Sequence, residues 1–256
     1  MTRFDLSNKK GLIVGIANEQ SLAYGSAQAI REQGGRLAIT YLNDKARPHV
    51  EPLANELGSE LFLPCNVTRP DEVDAVFTQI REHWGGLDFL IHSIAYAPLA
   101  DLQGRLIDSS RDGFLEAMDI SCHSLMRLAK QAEPLMKDGG SILTMSYIGA
   151  ERAVANYNLM GPVKAALESA VRYLAHELGP RDIRVNAISA GPVATRAASG
   201  LADFEKLIER ANQHAPLNRP LSVADVGSLA AFLVADGAYS ITGETLHVDG
   251  GYHARD

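Results

Sequence analysis

The chain has 256 residues, 46% of them hydrophobic, and 24 Lys and Arg against 31 Asp and Glu give a formal net charge of -7. That is enough chain to bury a sizeable core, and an acidic balance with no basic stripe argues against a nucleic-acid partner. The opening Met-Thr-Arg-Phe-Asp-Leu-Ser lacks an apolar signal core, and no run approaches the ~18 apolar residues of a spanning helix, so a cytoplasmic protein without a membrane segment is expected.

In chain order, GLIVGI (Gly11 to Ile16) is nearly continuously apolar, as strands covered on both faces are. A helix from Ser21 to Gln33 follows, stopped by Gly34-Gly35, and RLAITYL (Arg36 to Leu42) is the second strand. Strand, glycine turn, helix and strand make a right-handed parallel crossover of the dinucleotide-binding kind. The turn has no G-x-G-x-x-G, but a hydroxyl and backbone N–H groups at a helix N-terminus can hold a pyrophosphate. The alternative is a plain small-residue turn.

A polar-rich helix from Arg47 to Leu57 leads to LFLPCNV (Leu61 to Val67), and Pro70-Asp71 opens a helix with Val73, Val76, Phe77 and Ile80 on one face. LDFLIHSIAYAP (Leu87 to Pro98) is the fourth strand, ending in small residues, and Ser110 to Met136 reads as one long amphipathic helix. SILTM (Ser141 to Met145), a helix from Val163 to Leu178 closed by Gly179-Pro180, and IRVNAIS (Ile183 to Ser189) continue the alternation. The long segment from Ala190 to Pro220 carries a helical pattern over Asp203 to Asn212, as functional lids do. A helix at Val226 to Val234 and a strand and tail in GETLHVDGGY (Gly243 to Tyr252) complete the chain.

The expected fold is one domain over residues 1–256, a Rossmann-type doubly wound sheet of about seven parallel strands with helices on both faces. Two cysteines, Cys65 and Cys122, form neither a disulfide framework nor a zinc site and read as buried small hydrophobes; no metal site is expected.

Chemistry concentrates in Ser146 to Lys164, SYIGAERAVANYNLMGPVK. Tyr147 stands at a strand end and Lys164 on a helix. If helical geometry extends back through Gly161-Pro162, Tyr157 returns to the Lys164 face ~10 Å away. An ammonium beside a phenol favours phenolate, and the hydroxyl can hydrogen-bond a developing oxyanion. The alternative is a surface lysine and two core tyrosines. Gly15, Asn66-Val67, Ile94-Ala95, Ser146-Tyr147 and Gly191-Pro192 all fall at strand ends, where ligands of such sheets sit, and this convergence favours the chemical reading.

With Gly15-x5-Ser21-x-Ala23, HSIAYAP, SYIGAER, Tyr157-x6-Lys164 and ISAGPVATRAASG, the chain resembles the short-chain dehydrogenase/reductases over essentially its whole length, and within them the bacterial enoyl-[acyl-carrier-protein] reductases. Ordinary superfamily members use Tyr-x3-Lys with a serine thirteen residues before the tyrosine; here those positions hold Met160 and Tyr147. The resemblance implies NADH-dependent reduction of trans-2-enoyl thioesters in fatty acid elongation, with hydride delivered to Cβ. Tyr157 would stabilise the enolate oxygen, Lys164 would hold the nicotinamide ribose, and Tyr147 would orient the substrate or deliver a proton. Gly15, Ser21 and Leu22 would meet the pyrophosphate, Leu42 would lie at the end of the second strand, Asn66 and Val67 would meet the adenine, and Ile94 the ribose side. Val193, Ala194, Thr195, Arg196 and Ala197 would meet the nicotinamide amide and phosphates. Tyr96, Ala97, Met160, Ala197 and Phe204 would line the acyl pocket, under a loop from Ala198 to Phe204. An acyl-carrier protein is the implied partner and a homotetramer the implied assembly, using the last helix and the GGY tail.

Asn66 stands where the family commonly has aspartate, and Tyr41-Leu42-Asn43-Asp44 lacks a basic pair for a 2′-phosphate, so NADH is favoured over NADPH, with Lys45 and Arg47 nearby. The basic patch that would face the carrier protein is thinned to Ala202, Glu205 and Lys206. Two other readings stand beside this one. The chain could be another reductase of the superfamily, acting on a ketone or an enoyl-CoA, or a cofactor-binding regulator without turnover.

Overall fold

The structure is a computed structural model, and it describes residues 3–195, 200–201 and 203–255. The apolar runs form β1 (Lys10–Val14), β2 (Arg36–Tyr41), β3 (Leu61–Pro64), β4 (Phe89–His92), β5 (Gly140–Ser146), β6 (Ile183–Ala190) and β7 (Thr245–Val248). All pair in parallel, in one 7-stranded sheet of order β3-β2-β1-β4-β5-β6-β7. The doubly wound parallel sheet expected from the sequence is therefore the fold observed. Strand order reverses between β1 and β4, which opens a crevice at their carboxyl ends.

The helices are α1 (Leu22–Glu32), α2 (Arg47–Glu56), α3 (Pro70–Trp84), α4 (Leu99–Gln103), α5 (Arg111–Met118), α6 (Ser124–Ala132), α7 (Met160–Leu178), α8 (Phe204–His214) and α9 (Val223–Val234). Successive strand residues point to opposite faces, so Leu12, Leu90 and Ile142 pack under α3, α6 and α7, whereas Ile13, Ile91 and Leu143 pack under α1, α2 and α9. Phe77 and Phe89, one in each core, are buried to 1% and 0% exposure; truncating either to Ala would cost about 3–5 kcal/mol. Glycines let α1 and α9 touch backbone to backbone. A Cβ on Gly227 would stand 2.2 Å from the Gly25 carbonyl oxygen, and one on Gly25 would stand 2.3 Å from that of Val223.

Three expectations are corrected. The fourth strand ends at His92 rather than Pro98, because beyond it the chain leaves the sheet and Tyr96 exchanges both backbone hydrogen bonds with the Ser121 hydroxyl, at 2.9 and 3.0 Å. The helix read from Ser110 to Met136 is broken into α5, a π-helical turn at Asp119–His123, and α6, after which Glu133–Leu135 tightens to a 3-10 turn. Side-chain hydroxyls tie the turn to its surroundings: Ser124 donates to the Ile120 carbonyl at 2.6 Å and contacts His92 Nε2 at 2.8 Å. The short α4 lies where no helix was read. Finally, α7 begins at Met160, with Pro162 tolerated in its first turn, and helical geometry does not reach Tyr157. Asn156 and Asn158 have φ of 64° and 39°, a left-handed conformation that asparagine accommodates, and they turn the chain before the helix starts.

Candidate active site

Three consecutive residues at the end of β5 organise the site. The Met145 carbonyl accepts a hydrogen bond from Lys164 Nζ at 2.7 Å, and the Ser146 hydroxyl donates to the Glu168 carboxylate. Tyr147 sets its ring beside that of Tyr157, with centroids 4.8 Å apart and an interplanar angle of 61°. The turn carrying Tyr157 is anchored by Asn158, whose side-chain amide donates to the Leu102 carbonyl at 3.1 Å, and the Tyr157 ring packs in a cluster with Leu102, Leu159, Met160 and Val163.

Burial sets the protonation states. Tyr157 is 8% and Lys164 5% exposed. Desolvation pushes the Tyr157 phenol well above its ordinary range, helped by the neighbouring Tyr147 and Glu168, and it raises Tyr147 as well. The pull of a cation towards phenolate is not among the influences on Tyr157, and loss of water keeps the group a neutral hydrogen-bond donor. Desolvation pulls the Lys164 ammonium down to about 8, opposed by Cys122 and Glu168. His92 is wholly buried between the Thr144 and Ser124 hydroxyls, each at 2.8 Å, and burial, with Lys164 nearby, drives it down to about 3. Cys65 and Cys122 are buried free thiols, and burial pushes Cys65 up to about 12.

A cavity of about 210 Å³ opens at the carboxyl ends of β1, β4, β5 and β6. It brings together Gly15, Ser21, Leu22, Ile94, Val193 and Thr195 from the predicted cofactor set, Tyr147, Tyr157 and Lys164 from the catalytic set, and Tyr96, Ala97, Met160 and Phe204 from the substrate set. Leu42, Asn66, Val67 and Ala194 are not on its lining. Leu42 is exposed beyond β2, and the Asn66 carboxamide oxygen accepts from Thr68 N at 3.0 Å and Thr68 Oγ1 at 2.8 Å. Val67 is buried and Ala194 exposed. Arg196 and Ala197, like Ala198 and Ala202, lie outside the described residues.

The first turn fits a dinucleotide pyrophosphate. Gly15 has φ of 115°, and a Cβ there would stand 2.0 Å from the Ser93 carbonyl oxygen, so only glycine lets the chain pass. The Ser21 hydroxyl accepts from Ala17 N at 3.0 Å and Asn18 N at 3.1 Å, folding the turn back, and no side chain caps the first turn of α1. The start of α1, with Ser21 and Leu22, lines the cavity, where its dipole would favour an anion. Beyond β2, Arg47 pairs with Glu51 at 3.0 Å and sits 5.8 Å from the Tyr41 ring centroid, so both engage this cation.

Sequence reasoning missed Leu102, Leu201 and Leu207 on the cavity, and Glu168 behind it. Leu207, three residues after Phe204 on the same face of α8, was findable from helical spacing. Leu102 was not, because α4 is too short to show a period.

A family model described as enoyl-(acyl carrier protein) reductase matches residues 15–253. The chain belongs to that family. One relative is enoyl-(acyl-carrier-protein) reductase (NADH) 1 of Rhizobium meliloti strain 1021, 48% identical over 97% of this chain and 91% of its own length. Among solved structures, the enoyl-(acyl-carrier-protein) reductase of Anaplasma phagocytophilum in complex with NAD superposes with a TM-score of 0.94 at 48% identity, covering 98% of this chain and 95% of that one. The enoyl-acyl carrier protein reductase of Bacillus cereus with NADP+ and an indole naphthyridinone gives a TM-score of 0.96 at 43% identity, covering 98% and 99%. The resemblance carried by HSIAYAP, SYIGAER and Tyr157-x6-Lys164 is borne out, and the protein falls in a class of NADH-dependent enoyl-(acyl-carrier-protein) reductases.

Proposed function

We propose that the protein reduces the 2,3-double bond of trans-2-enoyl thioesters carried on an acyl-carrier protein, with NADH as reductant, in fatty acid elongation. One observation carries the reading: a neutral, buried Tyr157 phenol and a buried Lys164 ammonium share a cavity with the Gly15 to Leu22 turn that fits a pyrophosphate. Ser21 and Leu22 hold that pyrophosphate, and Lys164 holds the nicotinamide ribose hydroxyls. When bound, the reduced nicotinamide supplies a hydride to Cβ of the acyl group. Negative charge then gathers on the thioester oxygen, away from the carbon that is reduced.

Tyr157 donates its phenolic hydrogen bond to that oxygen. Lys164 adds positive potential in a site where water is scarce, which makes both contributions larger than in solution. A donor so placed lowers the barrier by about 3 kcal/mol. Tyr147 orients the thioester from its edge contact with Tyr157. Leu102, Met160, Phe204 and Leu207 face the acyl chain, and the segment 190–220 is the lid that excludes water during hydride transfer.

The chain works as one unit carrying both sites, and its setting is the cytoplasm. Exposed Phe114, Leu115, Met126 and Tyr173 on α5, α6 and α7 support a homotetramer built across that layer. On the lid helix, Lys206 pairs with Asp203 at 3.0 Å, so carrier recognition rests on other cations or is weak, and an enoyl-CoA substrate is the second reading. The test is NADH oxidation with crotonyl-carrier protein and crotonyl-CoA, with NADPH run in parallel. Faster turnover of the carrier substrate with NADH supports the proposal, a CoA preference selects the second reading, and no oxidation with any pair overturns both.

A further inference from the structure

Glu168 lies one helical turn after Lys164 on α7, so the two side chains leave the same face. Both are buried, at 6% and 5% exposure. A carboxyl is rarely this buried without a charge to answer. Neighbouring residues of one strand end hold the two groups: the Met145 carbonyl takes the Lys164 ammonium at 2.7 Å, and the Ser146 hydroxyl donates to the Glu168 carboxylate. The two groups are thus held by adjacent residues of one strand end behind the catalytic cavity, on whose wall Ser146 and Lys164 both lie.

The other groups facing the pair do not offer Lys164 a counter-charge. From β4 comes His92, neutral between two hydroxyls, and from the π-helical turn comes Cys122, whose thiol burial raises. Glu168 itself faces Ser146 from β5, Glu151 from the turn after β5, and Arg172 and Lys164 on its own helix, while the Tyr157 phenol senses its charge. Among the described residues, Glu168 is the carboxyl that acts on Lys164.

We propose that Glu168 is a positioning residue whose carboxylate is the counter-charge that keeps Lys164 cationic inside the catalytic cavity at neutral pH. It acts through Lys164 and touches neither substrate nor cofactor. A buried ammonium with one carbonyl partner sheds its proton readily, and a nearby carboxylate opposes that loss. The ammonium, already drawn down to about 8, would move further towards neutrality without it. At acid pH Lys164 is protonated with or without its neighbour, so the contribution belongs to the alkaline side.

The inference rests on the reading of Lys164 as the catalytic cation, and its test has a second readout that does not. The alkaline limb of kcat/KM for enoyl reduction is to be compared in the parent and in Glu168→Gln, which keeps the size of the group. The ε-carbon signal of Lys164, assigned by its loss in Lys164→Arg, is to be titrated by NMR in both proteins without cofactor. Glu168→Gln should shift both transitions down by roughly 1 pH unit or more, with activities converging at acid pH, and Glu168→Asp should restore part of the shift. An unmoved Lys164 titration, or an activity loss by the same factor at every pH, would overturn the proposal. An inactive parent would sink the enoyl-reductase reading while the NMR titration still decided the role of Glu168. Should Glu168→Gln fail to fold, Ser146→Ala frees the carboxylate from its anchor; a downward shift of the Lys164 titration supports the proposal and an unchanged one refutes it.

Discussion

The rings of Tyr147 and Tyr157 meet edge to face, centroids 4.8 Å apart, although Tyr147 ends a strand and Tyr157 stands on a left-handed turn before α7. The contact helps to shield both phenols from water. Tyr157→Phe is therefore expected to leave NADH binding intact and to lower kcat by roughly 100- to 1,000-fold, the cost of one oxyanion donor. Tyr147→Phe should raise KM more than it lowers kcat. Steady-state kinetics with fluorescence titration of NADH decides both, and a large kcat loss in Tyr147→Phe would assign proton delivery to that residue.

Gly15→Ala places a methyl group against the Ser93 carbonyl oxygen at a φ of 115°, where both the space and the backbone oppose it. Neither atom belongs to a flexible side chain. The variant should lose at least about tenfold in NADH affinity and melt below the parent, by more than the ~1 kcal/mol of an ordinary unfavourable Gly→Ala change. Calorimetric titration and thermal melting are the measurements.

Burial holds His92 far below the ordinary 6.5 of a histidine in the folded protein, at about 3, and repulsion from Lys164 adds to it. The unfolded chain therefore takes up a proton that the folded one refuses. The stability involved is fully present above pH 6.5 and is lost as pH falls towards 3, at up to ~1.4 kcal/mol per pH unit for one proton. Urea unfolding from pH 7 downward should show a shallower acid loss in His92→Gln than in the parent; parallel curves would show that other groups control the acid limb.

Arg47, itself exposed, is engaged by the half-buried Glu51 at 3.0 Å and by the buried Tyr41 ring. Releasing it with Glu51→Ala frees a cation beside the end of β2, where a 2′-phosphate would approach. The ratio of kcat/KM for NADPH to that for NADH should rise several-fold and the gain should shrink with added salt. A ratio that does not move would place cofactor choice elsewhere.

Much of this was legible because local patterns recur at fixed spacing. Apolar runs and turn signals placed the seven strands and their order along the chain, and Tyr157-x6-Lys164 with HSIAYAP and SYIGAER carried the family. Boundaries erred where tertiary hydrogen bonds overrode the local period. The segment from Ser110 to Met136 has a continuous amphipathic pattern, yet Ser121 and Ser124 are drawn to Tyr96 and His92, and the helix breaks at the π-helical turn Asp119–His123.

The sequence by itself determined the parallel α/β sheet, the crevice at its carboxyl edge and much of the set of residues that converge there, since these follow from patterns along single segments. Only the tertiary structure decided that Tyr157 stands on a turn and is a neutral acid, that Leu102 closes the cavity, and that Asn66 spends its carboxamide on Thr68. It alone joined Glu168 to Ser146 across 22 positions. Desolvation and long-range hydrogen bonds depend on what several segments exclude and offer together, and no spacing within one segment records that.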